Sequence, residues 1–407
     1  MVGVKMIVSA MTDVGRSRTT NEDAWAIKDL ASGKTIEELG KDHAIEIQER
    51  GVLLALSDGM GGAEAGEVAS ALVLESLQKA LERADRGAIH EQLEGAVQRA
   101  NRNVFFEAKV GDKHGMGATL VALFVRGDEA YIAEVGDSRG YLLRKGRLRQ
   151  ITRDQSLVQL LVDQGVMSPE EARSSPSKNV ILQAMGLAKD VRVAIARLRL
   201  RRGDRFLMCS DGVTNPISDA ELQQILTESD PRAACETMIA LANERGGDDN
   251  QTAIVADVDG DGLPEPDEFE TVTETYEVLK RYDATYKGKA VTPEIAEGVA
   301  KVVRAKAASK APLNVKKPTG QNPIVAPVPV SVEEPRRDPE PDAPEPIHDP
   351  TPKAVITARV PKLDPPEDTP VAATAPVAVK AKPPLPLLIA VGALFVIAVI
   401  VVVLVAR

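Results

Sequence analysis

The first two thirds of the chain alternate between short apolar runs and segments with apolar residues at helical spacing. Val68, Leu72, Leu77 and Leu81 recur on one helical face. The same pattern predicts helices at Ala65–Ala84, Ala88–Lys109, Asp219–Glu228 and Pro231–Glu244. Apolar runs bounded by Gly or charged residues predict strands at Val4–Ala10, Val52–Leu56, Thr119–Val125, Glu129–Val135, Gly140–Arg144, Val191–Leu200, Asp204–Ser210 and Thr252–Val258. Strands in blocks with helices in pairs indicate an α+β fold.

Four aspartates stand where apolar runs stop. They are Asp58 in Leu-Ser-Asp-Gly, Asp137 in Val-Gly-Asp-Ser-Arg, Asp211 in Cys-Ser-Asp-Gly and Asp249 in Gly-Asp-Asp-Asn. A single Asp-Gly is more typical of a hairpin turn, but four such sites predict carboxylates that emerge together at one edge of a sheet structure. Clustered carboxylates repel one another unless they take up protons or gather around cations. Oxygen-only ligands suit Mg²⁺ or Mn²⁺, so the pattern predicts a metal-dependent phosphoryl hydrolase.

An ordered set of motifs accompanies these aspartates. The motifs are Arg18-Thr-Thr-Asn21-Glu22-Asp23, Ser57-Asp58-Gly59-Met60-Gly61-Gly62, Gly115-Met-Gly117-Ala-Thr119, Gly136-Asp137-Ser138-Arg139, Asn179-Val-Ile-Leu-Gln-Ala-Met-Gly186, Ser210-Asp211-Gly212-Val213 and Asp249-Asn250. In this order they resemble the metal-dependent Ser/Thr protein phosphatases of the protein phosphatase 2C family, in its bacterial form. The resemblance implies a central two-sheet β-sandwich flanked by α-helices on both faces. It also implies hydrolysis of phosphoserine and phosphothreonine on proteins, among them Ser/Thr kinases.

The resemblance assigns the metal ligands residue by residue. Asp58 would bridge two Mn²⁺ or Mg²⁺ ions, with the Gly59 carbonyl as a further ligand, and Asp211 and Asp249 would complete the pair of sites. Asp137, together with Asp211, would form a third, weaker site. A water between the two ions would be the nucleophile, since two cations lower its pKa.

The resemblance also assigns the residues that act on the substrate and on water. Arg18 would bind the substrate phosphate with its planar guanidinium. Asp23 and Glu22 would hold metal-bound waters through hydrogen bonds, and Asn250 would have a supporting, structural role at the site. The implied catalytic residues are therefore Arg18, Asp23 and Asp58.

Three positions depart from the family pattern, and one segment matches a mobile element. Relatives carry histidines where this chain has Met60, Ala63 and Gln155, so the sequence does not identify the general acid for the leaving oxygen. Ser156–Gly186 resembles the flap that borders the active site in bacterial members, and Gly165 and Pro176 interrupt it. We refer to this segment as the flap.

Two other kinds of function are alternatives to a metal-dependent phosphatase. The first alternative is a non-catalytic, membrane-tethered module with a degenerate phosphatase fold that binds phosphopeptides or acts as a scaffold. The second is another phosphatase chemistry. Cysteine-based catalysis would need an arginine six residues after the cysteine, but positions 215 and 241 hold Asn and Leu. Histidine-rich dimetal sites need more histidines than the four in this chain.

The prolines divide the chain into a folded part and a C-terminal tail. Seven of the 27 prolines lie at or before Pro293, and the other 20 lie from Pro312 onward. We therefore expect a phosphatase domain at 1–258, an acidic and then helical extension at 259–310, and a disordered Pro-rich linker at 311–386. Residues 387–406 lack charges and predict one transmembrane helix about 30 Å long.

Charge and other short patterns limit partners and location. The N-terminus lacks a secretion signal, and Lys380 and Lys382 favour a cytoplasmic catalytic domain on a C-terminal membrane anchor. A formal charge of −10 and a pI near 5.2 argue against nucleic acid as a partner. The two cysteines indicate no disulfide framework. Asp257–Glu268 has the spacing of a calcium-binding loop, although an acidic turn is the alternative.

Overall fold

The computed structural model describes residues 3–61, 63–110, 115–283, 285–286, 289–290 and 292–310. These residues belong to one compact unit, Met1–Pro318. The predicted boundary at residue 258 falls inside this unit, whereas the predicted linker 311–386 and transmembrane helix 387–406 lie outside the described residues. Within the described part of the chain, no helix is long and apolar enough to cross a membrane.

Sixteen strands and nine helices make up the described residues. The strands are β1 (Val4–Asp13), β2 (Asp23–Asp29), β3 (Thr35–Ile36), β4 (His43–Ile47), β5 (Val52–Met60), β6 (Gly117–Ala118), β7 (Leu120–Arg126), β8 (Glu129–Val135), β9 (Arg139–Arg144), β10 (Arg147–Gln150), β11 (Ala194–Arg199), β12 (Arg205–Cys209), β13 (Gln251–Asp259), β14 (Tyr276–Lys280), β15 (Thr285–Tyr286) and β16 (Lys289–Ala290). The helices are α1 (Ala63–Arg83), α2 (Ile89–Val110), α3 (Leu157–Asp163), α4 (Pro169–Ser174), α5 (Asp211–Thr214), α6 (Asp219–Glu228), α7 (Pro231–Glu244), α8 (Val272–Thr275) and α9 (Pro293–Lys310).

Two antiparallel sheets form the centre of the fold. One has the strand order β10-β9-β12-β13-β1-β4, and the other has the order β14-β11-β8-β7-β5-β2-β3, with β6 paired to β5. Their inner faces pack on each other through fully buried side chains such as Met6, Leu54, Leu123 and Phe206. The central strands are buried on both sides, because helices also cover the outer faces.

Each outer face has its own apolar layer. Helices α1 and α2 cover the eight-stranded sheet, where Leu77 and Val97 pack with Leu53. Helices α5, α6 and α7 cover the six-stranded sheet, where Met238 packs with Leu207. The described residues therefore have the layered arrangement that the resemblance implied, with helices on both sides of two sheets.

Strand bounds differ from the sequence predictions at the most informative place. The prediction ended the strand before Asp58, but β5 continues through Asp58 to Met60, because Gly59 and Met60 pair with Ala118 and Gly117 of β6. Strand β2 was not predicted at all. Its pairing with β5 places Asp23 directly opposite Asp58, which brings two carboxylates to the same edge.

The segment after β13 belongs to the folded unit and supplies contacts to a buried charge. Strand β14 pairs with β11, and the buried Arg144 donates to Thr275 (2.6 Å) and to both oxygens of Asp204 (2.6 and 2.7 Å). Glu270 lies 3.7 Å from Arg144 and accepts from Arg201 Nε at 2.9 Å. A charge buried as deeply as Arg144 needs these partners.

The geometry does not favour the calcium-loop interpretation of Asp257–Glu268. Asp257 lies within β13, and its Oδ2 accepts from Arg205 Nη2 at 2.7 Å. Asp259 is the last residue of the same strand and its side chain is largely exposed. A calcium loop of this spacing lies between two helices, whereas here a strand comes before it. The acidic turn that closes the domain is the better description.

We predict that a chain ending at residue 260 is less stable than a chain ending at residue 310. The shorter chain loses Glu270 and Thr275, which contact buried Arg144, and β14, which pairs with β11. Removing partners of a buried charge costs about 3 kcal/mol or more. Urea unfolding followed by circular dichroism measures the difference, and equal free energies of unfolding for the two chains would refute it.

Candidate metal centre

Five aspartates from both sheets meet at one edge of the sandwich. Asp58 and Asp23 face each other on β5 and β2. Asp137 follows β8 after one glycine, Asp211 is the first residue of α5 directly after β12 and Ser210, and Asp249 comes two residues before β13. Each of the four aspartates singled out in the sequence therefore lies on a strand or within two residues of one, and Asp23 on β2 is a fifth.

The charges of these carboxylates act on one another. Burial raises the pKa of Asp58 well above its ordinary value of 3.8, and the charges of Asp23, Asp211, Asp137 and Asp249 raise it further. Repulsion between like charges in a desolvated cleft has this effect.

Three of the neighbours show the same behaviour. Burial, followed by the charges of Asp211 and Asp249, raises the pKa of Asp23 to about 7, although hydrogen bonds from Thr252 and Ser210 oppose the shift. Burial and Asp211 raise the pKa of Asp137 to about 8. Burial and Asp249 raise the pKa of Asp211 to about 6. Without cations the cluster therefore holds protons near neutral pH.

Thr119 fixes the backbone on which Asp58 stands. The Asp58 amide donates to Thr119 Oγ1 at 2.9 Å, and the Thr119 amide donates to the Asp58 carbonyl at 2.8 Å. The same hydroxyl lies 2.6 Å from Ser138 Oγ, next to Asp137. One buried threonine thus links the strand of Asp58 to the loop of Asp137.

Asp23 is held by two hydroxyls and keeps one oxygen without a partner. Ser210 Oγ and Thr252 Oγ1 both donate to Asp23 Oδ2, at 2.8 and 2.7 Å. Asp23 Oδ1 is buried and has no hydrogen-bond partner among the described residues. A buried acceptor without a partner is costly, so this oxygen is directed at a group that the protein chain itself does not supply.

Asn250 orders the loop that carries Arg18 and Glu22. Its Oδ1 accepts from the Glu22 amide at 2.8 Å, and its Nδ2 donates to the carbonyls of Val14 and Thr20, both at 2.9 Å. Arg18 is exposed, and its Nη2 lies 2.9 Å from Asp249 Oδ2. The structure therefore places Arg18, Glu22 and Asn250 beside Asp249.

Two glycines allow the chain segments of the site to approach one another. A Cβ atom at Gly59 would lie 2.1 Å from the Gly66 carbonyl oxygen, and one at Gly212 would lie 1.9 Å from the Asn250 carbonyl oxygen. Any side chain at either position would push apart the segments that carry Asp58, Asp211 and Asp249.

The three positions that depart from the family pattern have different surroundings. Gln155 is buried, and its Oε1 accepts from the Gly136 amide at 3.0 Å, which fixes the turn before Asp137. Met60 ends β5, and Ala63 begins α1. The described histidines, His43 and His90, lie on β4 and at the start of α2. Gln155 thus has a positioning role in the structure rather than an exposed catalytic one.

Sequence reasoning missed several residues of the site. Ser210 and Thr252, which hold Asp23, lie 187 and 229 residues from it along the chain, so only the register of the folded sheets brings them together. Lys178 of the flap lies close enough to Asp211 for its positive charge to lower that pKa. The repeated Ser-Asp-Gly motif could have pointed to Ser210, whereas no sequence pattern distinguishes Lys178.

The donor atoms fit hard divalent cations. As they stand, no three His, Cys, Asp or Glu side chains in the described ranges form a group that could hold an ion, so the fit rests on donor chemistry. Asp58, Asp137, Asp211 and Asp249 offer carboxylate oxygens, and the unpartnered Asp23 Oδ1 lies beside them. Mn²⁺ and Mg²⁺ prefer such oxygen-only surroundings and keep several waters.

Comparison with known proteins gives the family. The model of the protein phosphatase 2C family matches residues 41–249. The chain belongs to the protein phosphatase 2C family. It is 42% identical to the serine/threonine protein phosphatase PstP of Mycobacterium tuberculosis over 207 residues, which are 51% of this chain and 40% of that protein. It is 34% identical to the serine/threonine phosphatase stp of Listeria monocytogenes over 254 residues, 61% of this chain and 94% of that one.

A solved structure supports the same assignment. The catalytic domain of the serine threonine protein phosphatase PstP, in complex with 2 manganese ions, matches with a TM-score of 0.53 and 36% identity, over 63% of this chain and 99% of that chain. The chain spans less than half the length of the Mycobacterium tuberculosis relative. Helix α9 lies beyond the range that the family model matches.

We predict that Mn²⁺ stabilises this protein more at about pH 8 than at about pH 5.5. The pKa values of Asp23, Asp137 and Asp211 are raised above 3.8. Each therefore contributes stability that is fully present below the ordinary pKa of 3.8 and is lost progressively as the pH rises to the folded pKa of about 6 to 8. A cation that binds the ionised forms restores that stability, and at low pH it must first displace protons.

Differential scanning calorimetry with and without Mn²⁺ measures the effect. The Asp211→Asn variant is the control and should show a smaller gain in Tm. An equal gain at both pH values, or no gain in the parent protein, would contradict the assignment of the cluster as a metal centre.

Proposed function

We propose that this protein hydrolyses phosphoserine and phosphothreonine monoesters on proteins and opposes Ser/Thr kinases. The single observation that carries the proposal is the edge of the sandwich where the charges of Asp23, Asp137, Asp211 and Asp249 raise the pKa of buried Asp58. Family membership supports it. So does the solved PstP structure in complex with 2 manganese ions.

Mn²⁺ or Mg²⁺, when bound, would supply positive charge that stabilises the substrate phosphate and activates water as a nucleophile. Asp58, the Gly59 carbonyl, Asp211 and Asp249 would hold two such ions, and Asp137 with Asp211 would hold a third. Each of these residues offers oxygen at the cluster's edge, which is the chemistry that such ions require.

Two residues act on the reactants themselves in this proposal. Arg18, exposed and next to Asp249, would exchange part of that ion pair for the substrate phosphate, which its planar fork binds through two hydrogen bonds. Asp23 Oδ1 would accept a hydrogen bond from the attacking water, because Oδ2 is already occupied by Ser210 and Thr252. Glu22 would orient a further water beside Asp249.

The alternative of a non-catalytic phosphopeptide-binding or scaffolding module is less favoured. A degenerate member would be expected to lose carboxylates from the cluster, but this chain keeps all five, and the other four raise the pKa of Asp58. A cysteine nucleophile is also disfavoured, because burial raises the pKa of both Cys209 and Cys235 and leaves them as thiols.

We also propose that residues 387–406 anchor the protein in a membrane with the catalytic domain in the cytoplasm. The support is the run of 20 uncharged residues after Lys380 and Lys382. Recovery of the full-length chain in the soluble rather than the membrane fraction of its host would reject this part of the proposal.

We predict that Asp211→Asn lowers Mn²⁺-dependent phosphate release from a phosphothreonine peptide at least about a hundred-fold. The amide removes one negative ligand from the cluster. The matched control is Asp248→Asn, which makes the same change at an exposed aspartate beside the cluster residue Asp249. Steady-state kinetics of the two variants, each checked for folding by circular dichroism, decides the matter. Equal activities would show that Asp211 has no part in catalysis.

A further inference from the structure

Helix α9 lies beyond the range that the family model matches, and it packs on the flap. Ala296, Ala300 and Val303 are spaced by four and three residues, so they share one helical face, and all three are buried. The neighbouring Val299 is partly buried in the same cluster. The opposite side of the helix carries Val302, which is 57% exposed. The helix therefore has one apolar face that is already in contact with a partner.

The partner of this face is the flap. The apolar cluster that contains Ala296 and Ala300 is completed by Val158 and Leu161 of α3, and by Met167 and Ala172 of the loop and helix that follow. We call these residues the flap–α9 cluster. It draws all its members from the flap and α9, so in the described part of the chain the flap helices form this core with α9 and not with the sheets.

Polar contacts reinforce the cluster. Arg304 Nη2 of α9 donates to the Val166 carbonyl in the turn between α3 and α4, at 2.6 Å. The same side chain lies 3.6 Å from the Glu171 carboxylate of α4. These contacts attach the turn between the two flap helices to α9. Both helices are therefore restrained relative to α9.

A cavity separates helix α3 of the flap from the sheet. The space has a volume of about 1070 Å³ and lies between α3, β11 and the segment around β14, with Gln155, Leu160, Ala196 and Tyr276 among its lining residues. The sheet side of α3 therefore lacks the close packing that its α9 side has. Helix α9 is therefore the main apolar support for the flap helices α3 and α4, whereas Met185 at the end of the flap packs with the sheet.

The flap reaches the carboxylate cluster at the other end. Lys178 lies near Asp211, and Arg173 lies 3.5 Å from Asp219 at the start of α6. The base of the flap is closed by Gln183, whose Nε2 donates to Gln155 Oε1 at 2.8 Å. A shift of α3 and α4 would therefore displace Arg173 and Lys178, and Lys178 lies near the proposed metal ligand Asp211.

We propose that Ala296, Ala300 and Val303 of α9 are positioning residues that hold the flap in the position in which it contacts protein substrates. The inference rests on the proposed phosphatase function. A small phosphate ester needs only the carboxylate cluster and Arg18, whereas a phosphorylated polypeptide also lies against the flap. Displacement of the flap should therefore weaken the binding of phosphoprotein and leave the hydrolysis of a small ester nearly unchanged.

The test compares two variants of the full-length chain that add one negative charge to α9. Ala300→Glu places the charge in the flap–α9 cluster, and Val302→Glu is the matched control on the exposed side. We expect Ala300→Glu to raise KM for a phosphothreonine protein about ten-fold while kcat/KM for para-nitrophenyl phosphate changes by less than about two-fold. The control, and the conservative variant Ala300→Ser, should match the parent protein with both substrates.

A second measurement is independent of turnover. Hydrogen exchange should become faster at the amides of α3 and α4 in Ala300→Glu and stay unchanged in Val302→Glu. Equal exchange in all variants, or an equal loss of activity on both substrates in Ala300→Glu, would overturn the inference. A parent protein without activity on either substrate would refute the proposed function instead, and exchange alone would then decide whether α9 holds the flap.

Discussion

Repulsion among carboxylates is the constraint on which the rest of this structure depends. Asp58 lies within reach of four other negative side chains in a cleft where burial already disfavours charge. Such an arrangement costs free energy when the residues are ionised and uncompensated. The fold maintains it because strands from two sheets end at the same edge, and because divalent cations would turn the repulsion into binding energy.

The side chains that hold Asp58 and Asp23 in place carry neutral hydroxyl groups. Thr119 ties Asp58 to Ser138, and Ser210 and Thr252 hold one oxygen of Asp23. Hydroxyls fix geometry without neutralising the cluster, which leaves its charge available to metal ions. Among the cations nearby, Arg139 is paired with Asp154, whereas Arg18 lies on an exposed loop and Lys178 on the flap.

The sequence was a good guide to local features and a poor one to distant contacts. The Asp motifs predicted carboxylates at one edge, and the charges of the other aspartates raise the pKa of Asp58, as expected of neighbours. Asp58, Asp137 and Asp211 could be placed because each comes at the end of an apolar run that forms a buried strand, whereas Asp249 lies before β13. Strand β2 escaped prediction since Asp23–Asp29 mixes charged and apolar residues in so short a run. The contact of α9 with the flap could not be foreseen either, because a helical face built from Ala296 and Ala300 fits many partners and only the fold selects one.

The most direct test of the metal centre is a crystal of this protein grown with Mn²⁺ and measured at the manganese absorption edge. Two anomalous peaks are expected, both within bonding distance of Asp58, with Asp211 and Asp249 beside one of them. A water between the peaks should donate a hydrogen bond to Asp23 Oδ1. No anomalous density at this edge, or density centred away from Asp58, would contradict the assignment of the cluster as a metal centre.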